Sequence, residues 1–588
     1  MERVDESTEI LSKSPVTVNS TGRALIAFND RNVVPFNPPH VEYGGGSTRQ
    51  ILESQILFGS GKVTSLNRNC FSLSISNPFG LSSIHPIPRA ISLNGPPSPQ
   101  ESHVSSRSIP NSISISSSPK SSNSVNILSS TVKKRVPVYE EKRTHKTYQV
   151  VDVKSLYPKP YCIESTRDQS KRETLKVVHR HGPCSHLNED QASTPTLTEI
   201  TSIDQSRVDS IQKRLRINSD GNGLKGSKAT LPAKSGRLIG TGNYIVTLGF
   251  GTPKKDLTLV FDTGSDITWI QCEPCISCYP QQEPVFNPST SQTYKNLTCN
   301  SQQCSQLQLR DCFTDTNTCI YGVDYGDGSF TRGFFATETL ILIPSDVFPN
   351  FFFGCGVKNG GLFRGLAGLL GLSPDPLSLI RQTASKYGNY FSYCLPTFSS
   401  SSGTLVFGKE GGPTNSASLK FTPLSINSIN SNGPSFYFIE VNAIKVGEQT
   451  LSISPSVFSN SGTVIDSGTV VTRLQPEAYS ALRTSFRQQM MNYTMTQGVS
   501  LFDTCYDFSG HDTVVFPEIT FVFGGNVEVP IDPSGILIGT SQTQACLAFA
   551  GNRDASEVGI FGNLQQQTLD VVYDVAGGKL GFGTGGCS

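Results

Sequence analysis

Two short stretches of this 588-residue chain could do chemistry together. Val260-Phe261-Asp262-Thr263-Gly264-Ser265 is echoed by Val464-Ile465-Asp466-Ser467-Gly468-Thr469. Each is an apolar strand that runs into Asp-(Ser/Thr)-Gly-(Ser/Thr), and each is followed at a similar distance by an apolar-apolar-Gly element, Leu369-Leu370-Gly371 and Ile560-Phe561-Gly562. The pattern is an internal duplication with one carboxylate per copy. Gly264 and Gly468 let two backbones approach closely. Thr263 and Ser467 complete the turns, and the hydroxyls of Ser265 and Thr469 can donate to carboxylate oxygens. Two carboxylates brought together share one proton, because both cannot ionise cheaply. The ionised member can then take a proton from water while the other donates to a carbonyl oxygen, with no metal and no covalent intermediate. A single Asp-Ser-Gly would read as an ordinary turn; the repetition argues for the pair.

The elements that must position such a pair are mostly strands. From Gly242 onward short apolar runs alternate with Gly, Pro, Asn and Ser: Tyr244 to Phe250, Leu257 to Phe261, Phe351 to Phe353, Thr404 to Phe407, Phe436 to Val441 and Ile519 to Phe523. Pro476 opens the clearest helix there, with Tyr479, Leu482 and Phe486 on one face. Upstream, Ile200, Ile203, Val208, Ile211 and Leu215 recur at helical spacing, and Arg207, Lys213, Arg214 and Arg216 lie between them, giving a basic amphipathic helix.

Charge divides along the same line. The chain is nearly neutral at +1, yet residues 1–237 carry +11 and residues 238–588 carry −10, which suggests that one part lies on the other. Twelve of the 15 cysteines fall in the acidic part, Cys272 to Cys587, and read as a disulfide framework made in an oxidising compartment. Cys272, Cys275 and Cys278 also resemble a zinc knuckle, but no second pair follows at finger spacing. His179, His181, Cys184 and His186 cluster without anything to fix a coordination geometry; no metal and no cofactor is expected. No apolar run is long enough for a membrane-spanning helix. The acidic residues Glu2, Asp5, Glu6 and Glu9 leave no signal peptide visible at Met1. The cysteines favour the extracellular space or the secretory pathway, with a plastid as the alternative.

On these residues, about 240–588 resemble a pepsin-like aspartic endopeptidase. The resemblance makes Asp262 and Asp466 the catalytic pair. It puts Trp269 behind the active site, and makes Tyr325-Gly326-Asp327-Gly328 a substrate-covering flap with Tyr325 as its tyrosine. Tyr325 lies further beyond Asp262 than in the animal enzymes, and the excess holds seven cysteines, Cys272 to Cys319, which is similar to the plant nepenthesin-like subfamily. Gly242 to Val246, Cys546 to Asn552 and Phe561 to Gln567 are similar to the plant proteases of the chloroplast-nucleoid DNA-binding type and their apoplastic relatives, and residues 145–237, with His179 to Ser185, resemble their propeptide.

The resemblance implies a mainly β, bilobal fold with a pseudo-twofold duplication. It implies a propeptide-like segment over 144–230, an N-terminal lobe over 231–420 and a C-terminal lobe over 421–588; residues 1–143 match no part of the family, and the near-serine tract from Ser105 to Ser130 marks them as a low-complexity, disordered extension. It implies the disulfides Cys272–Cys275, Cys278–Cys355, Cys299–Cys319, Cys304–Cys312, Cys394–Cys587 and Cys505–Cys546. The expected partners are protein or peptide substrates and pepstatin-type inhibitors, acting on a monomer made as an acid-activated zymogen that is cut near Leu231. Asn296 and Asn492 head glycosylation sequons. Two other readings stay open. The basic front could bind nucleic acid, although no binding signature accompanies it. The fold could also serve as a non-catalytic binding protein, as in relatives that have lost a carboxylate.

Overall fold

The computed structural model describes residues 147–157, 161–162, 174–188, 195–219, 244–325, 327–397, 402–409, 419–426 and 436–587, together with four two-residue strands before residue 63. The expectations for the extension 1–143, for Leu231 and for Gly326 lie outside the described residues.

The elements that matter for the site are, in chain order, β1 (Tyr148–Asp152), β2 (Leu175–His179), α1 (Leu197–Ser219), β3 (Tyr244–Phe250), β4 (Lys255–Asp262), β5 (Trp269–Gln271), β6 (Thr318–Asp324), β7 (Phe330–Ile343), β8 (Asp346–Gly360), β9 (Gly368–Gly371), β10 (Tyr390–Cys394), β11 (Gly403–Phe407), β12 (Thr463–Ile465), β13 (Thr472–Leu474), α2 (Pro476–Gln489), β14 (Thr513–Pro517), β15 (Phe549–Gly551), β16 (Gly559–Phe561) and β17 (Asp570–Asp574). The architecture is the mainly β, two-lobed pepsin-like fold. No helix among the described residues is long and apolar enough to cross a membrane.

The duplication is visible in the strand pairing. β4, which ends on Asp262, runs parallel to β9, with Phe261 opposite Leu370 and Asp262 opposite Gly371; β9 also pairs antiparallel with β5. β12, which ends one residue before Asp466, runs parallel to β16, with Ile465 opposite Phe561, and β16 pairs antiparallel with β13. In both halves the apolar-apolar-Gly element therefore lies beside the carboxylate strand. β4 is buried from Leu257 to Asp262 rather than on alternate residues, because it is packed on both faces.

The leading segment is built into this body. β2 pairs antiparallel with β11 on one side and with the start of β3 on the other. From β11 the ladder continues to β10 and β17, so a strand from before the duplicated part lies inside one continuous sheet, between β11 and β3. Arg180, directly after β2, is buried and donates to the carbonyls of Leu362 and Arg364; burial brings its guanidinium down to about 10. Farther out, β1 lies along β14 over five residues.

α1 begins with a reciprocal cap. The Thr196 amide and hydroxyl donate to the Glu199 carboxylate, and the Glu199 amide donates back to Thr196 Oγ1 at 3.3 Å. The helix then runs 23 residues. Of the five residues whose spacing predicts the buried face, Ile200, Val208, Ile211 and Leu215 are buried and Ile203 is half-buried, while Lys213 is exposed. Arg216 lies in the helix, but its side chain is outside the described residues.

Four of the expected disulfides are corrected. Cys272 bonds Cys355 and Cys275 bonds Cys278, in place of Cys272–Cys275 and Cys278–Cys355. The reason is strand pairing: β5 runs parallel to β8, with Ile270 opposite Cys355, and the Cys272 amide donates to Gly356 O, so Cys272 is delivered beside Cys355. Cys304 bonds Cys319 and Cys299 bonds Cys312, in place of Cys299–Cys319 and Cys304–Cys312. The short helix Gln302–Gln306 turns Cys304 inward to buried Cys319, leaving Cys312, on the strand before β6, to Cys299. Cys394 bonds Cys587 and Cys505 bonds Cys546. A seventh bridge, Cys162–Cys184, closes the leading segment on itself and takes Cys184 out of any histidine cluster.

Candidate active site

Asp262 and Asp466 are buried, 1% and 0% exposed, at the ends of equivalent strands. Each turn holds its own carboxylate in the same way. The Gly264 amide donates to Asp262 Oδ1 at 2.9 Å and Ser265 Oγ to Oδ2 at 2.5 Å. The Gly468 amide donates to Asp466 Oδ1 at 3.1 Å and Thr469 Oγ1 to Oδ2 at 2.5 Å. The turns also hold each other: the Thr263 amide donates to Ser467 Oγ at 3.1 Å, and the Ser467 amide to Thr263 Oγ1 at 2.9 Å. That exchange crosses the pseudo-twofold axis and fixes the separation of the two carboxylates. There is no room for a side chain at the glycines. A Cβ on Gly264 would lie 2.8 Å from Asp466 Oδ1, and one on Gly468 2.5 Å from Asp262 Oδ1.

The space between the carboxylates is filled by Arg207 of α1. Its Nη2 lies 2.7 Å from Asp262 Oδ1 and 3.0 Å from Asp466 Oδ1. Its Nη1 donates to Asp262 Oδ2 at 3.0 Å and its Nε to Asp466 Oδ2 at 2.9 Å. One planar guanidinium thus engages all four carboxylate oxygens, the fork geometry that suits arginine. Burial by itself would push the Asp262 carboxyl up. The Arg207 charge and the hydrogen bonds from Ser265, Arg207 and Gly264 outweigh it and hold Asp262 below its ordinary value. Burial pushes the Asp466 carboxyl up; Arg207 opposes this, and the neighbouring Asp262 charge adds to it. The pair titrates jointly.

α1 is gripped along its length. Three residues before Arg207, Asp204 accepts from the Val470 amide at 2.6 Å, the Val471 amide at 3.2 Å and Arg473 Nη2 at 3.0 Å. One turn after Arg207, Gln212 exchanges hydrogen bonds of 2.8 and 2.9 Å with the Val558 backbone. Arg214 donates to Gly264 O at 3.3 Å and lies 3.5 Å from Asp266. Burial, opposed by Arg214, leaves the Asp266 carboxyl above its ordinary value. Burial and the Asp266 charge push neighbouring Asp375 up to about 6.

Tyr325 sits between β6 and β7, where its amide donates to Ser329 O at 2.8 Å and its carbonyl accepts from the Gly328 amide, closing a hairpin. Trp269, fully buried on β5, donates from Nε1 to Tyr325 Oη at 2.8 Å, and Phe363 packs edge-on against both rings. Gly328 has φ +82°, a conformation that favours glycine. Asp327 caps the tip by accepting from the Ser329 amide and hydroxyl. Asn296 and Asn492 are both exposed.

The sequence pointed to α1 and to Arg207 on its basic face, but not to Asp204, Gln212 or Arg473. Thr196-x-x-Glu199 would have fixed the helix start three residues before Ile200. Asp204, one turn before an arginine, was the only signal for the second contact.

Two buried carboxylates are thus paired on crossed turns, with a hairpin backed by a tryptophan in the first half, and the chain belongs to the pepsin-like aspartic protease family. Residues 244–409 match the family model described as xylanase inhibitor N-terminal, and residues 436–584 the one described as xylanase inhibitor C-terminal. An aspartyl protease family protein of Arabidopsis thaliana is 50% identical over 447 residues, covering 74% of this chain and 93% of that protein. Aspartyl protease AED1 of Arabidopsis thaliana is also 50% identical, covering 74% and 92%. Aspartic proteinase nepenthesin-2 of Nepenthes gracilis is 38% identical, covering 58% and 77%. Among solved structures, the crystal structure of edgp matches with a TM-score of 0.50 at 23% identity, covering 58% of this chain and 92% of that one, a likeness of fold.

Proposed function

We propose that this chain is an aspartic endopeptidase made as a zymogen, with Asp262 and Asp466 as the catalytic pair and residues 147–219 as its inhibitory prosegment. The observation that carries the reading is Arg207: a guanidinium bound to all four oxygens of the pair occupies the position a nucleophilic water needs. Once α1 leaves, that position is open to water. The ionised member of the pair takes a proton from water as its oxygen attacks the scissile carbonyl, and the protonated member donates to the carbonyl oxygen. Collapse of the tetrahedral intermediate passes a proton to the leaving amine. Tyr325 and its hairpin close over the extended peptide and exclude bulk water.

Acid is the natural trigger. Arg207 favours the ionised form of both carboxylates, so its attraction is present above their pH range of titration and is lost as pH falls through it. Asp262 is held below its ordinary value, so its half of the clamp resists until the medium is distinctly acidic, whereas burial and the Asp262 charge keep Asp466 above its own and that half weakens sooner. The Arg214–Asp266 contact also yields before the Asp262 half, because burial already keeps the Asp266 carboxyl above its ordinary value. Cleavage between Ser219 and Tyr244 then separates prosegment from enzyme. The disulfides favour an extracellular or secretory location. The reading predicts that the full chain is silent at neutral pH and that brief acidification yields a pepstatin-sensitive peptidase. A chain that cleaves peptides at neutral pH with α1 intact would contradict the zymogen part. A chain that is processed but hydrolyses nothing would favour the non-catalytic alternative.

A further inference from the structure

Asp204 sits in a socket that is not made by the prosegment. Its two carboxylate oxygens receive the Val470 and Val471 amides and Arg473 Nη2. Arg473 is 1% exposed, as is Asp204. The rest of the guanidinium is poorly provided for: Nη1 donates to Val471 O at 2.7 Å, Nη2 reaches Gln205 Oε1 at 3.4 Å, and Nε has no hydrogen-bond partner. Asp204 is the one carboxylate that pairs with this buried cation among the described residues. Val470, Val471 and Arg473 all lie within seven residues of Asp466, on the stretch that runs from the Asp466 turn into β13.

When α1 leaves, Asp204 leaves with it. Two amides and a guanidinium then converge on an empty, largely desolvated position beside the catalytic pair. A buried charge stripped of its partner is costly, so this position favours an incoming anion. The same helix face that fills the socket with Asp204 sets Arg207 between the two carboxylates, so on the endopeptidase reading the anion at hand once α1 is gone is a side chain of the peptide bound there. Asp204 and Arg207 are three residues apart on one helix, about 5–6 Å between Cβ atoms. An extended peptide advances about 3.3 Å per residue. The socket therefore lies within about three residues of the scissile bond.

We infer that Val470, Val471 and Arg473 form a specificity subsite that selects substrates with an Asp or Glu side chain at one fixed position close to the cleavage site, and that Asp204 mimics that side chain in the zymogen. This rests on the endopeptidase reading and adds to it a substrate class. No covalent step is involved.

The test uses processed enzyme, obtained by acid or through a protease site placed between Ser219 and Tyr244. It is offered paired peptides that differ only by Glu against Gln, with the pair scanned along three positions on each side of the cleaved bond. Charge-assisted hydrogen bonds to a buried group typically contribute about 1.5–3 kcal/mol, or roughly 10–100-fold. One position is expected to favour Glu over Gln by about tenfold or more in kcat/KM, and Arg473→Gln is expected to collapse that ratio. Equal rates for Glu and Gln at every position, or a ratio that survives Arg473→Gln, would overturn the proposal, while failure to cleave any peptide would count against the endopeptidase reading instead. Should Arg473→Gln not fold, a second measurement decides. Synthetic peptide 195–219 is added in trans as an inhibitor. Its Asp204→Asn version is expected to inhibit about tenfold or more less tightly; equal inhibition by the two peptides overturns the proposal.

Discussion

The two halves of the molecule carry the same Asp-(Ser/Thr)-Gly-(Ser/Thr) turn and use its surroundings differently. Around Asp262 and Asp466 the local bonds match group for group: a glycine amide on Oδ1, a hydroxyl on Oδ2 and an exchanged amide-hydroxyl pair across the axis. Beyond the turns the equivalence ends. The first half carries the hairpin with Tyr325 and the Trp269 support behind it. The second half receives the helix. Val208, Ile211 and Leu215 pack on Phe436, Val464, Val558 and Ile560, and Ile200 packs on Val470 and Val471. The first half meets α1 beyond the Arg207 clamp mainly through Arg214, which reaches Gly264 O and Asp266. Duplication supplied two carboxylates with matching local bonds; the Tyr325 hairpin belongs to one copy and the packing of α1 mainly to the other.

The sharpest way to break that comparison is to remove one carboxylate at a time. Asp262→Asn and Asp466→Asn keep shape and hydrogen-bonding capacity and lose the charge. If the turns are chemically equal, both lower kcat of processed enzyme on a peptide by a similar factor, on the order of 10⁴, with thermal melting unchanged enough to exclude misfolding. A variant that keeps wild-type kcat would mean that only one turn is catalytic. Next in size is Arg207→Met, which leaves two buried carboxylates facing each other. Breaking a buried pair by deleting one partner costs about 3–5 kcal/mol. The cost shrinks as pH falls, because protonation of the pair relieves the repulsion. Denaturant unfolding of the full chain should therefore separate variant from wild type at neutral pH and bring them together in acid. A gap that widens on acidification would contradict the clamp.

The turns could be read from the sequence because their chemistry is local: strand, Asp, hydroxyl, glycine, hydroxyl. Helix α1 was legible for the same reason, since Ile200, Val208, Ile211 and Leu215 keep one periodicity. What could not be read was decided by distant pairing. Cys272 meets Cys355 because β5 runs beside β8, and no spacing encodes that register. β2 does not read as a strand at all, because Lys176 and His179 interrupt its apolar residues and its partners β11 and β3 come from far down the chain. Asp204 looked like any polar residue on a helix; its meaning depends on Val470, Val471 and Arg473, which lie more than 260 residues away.

Two smaller substitutions sharpen the claim that the helix belongs to the second half. Ile211→Ala removes a side chain 3% exposed from the cluster with Val464 and Ile560. Large-to-small changes of this kind cost about 2–5 kcal/mol, and here the loss should be read as a faster release of the prosegment at a fixed acidic pH. Arg214→Gln removes the contact to the first half. Its guanidinium is 31% exposed and 3.5 Å from Asp266, a geometry worth less than about 1 kcal/mol. The sign with pH follows from Asp266, whose carboxyl burial holds above its ordinary value against the pull of Arg214. The contribution is present while Asp266 is ionised and is lost as pH falls through its titration. Release rates of Arg214→Gln and wild type should thus differ slightly near neutrality and coincide in acid, whereas Ile211→Ala should stay faster throughout. If Arg214→Gln instead matched Ile211→Ala at every pH, the helix would be held equally by both halves.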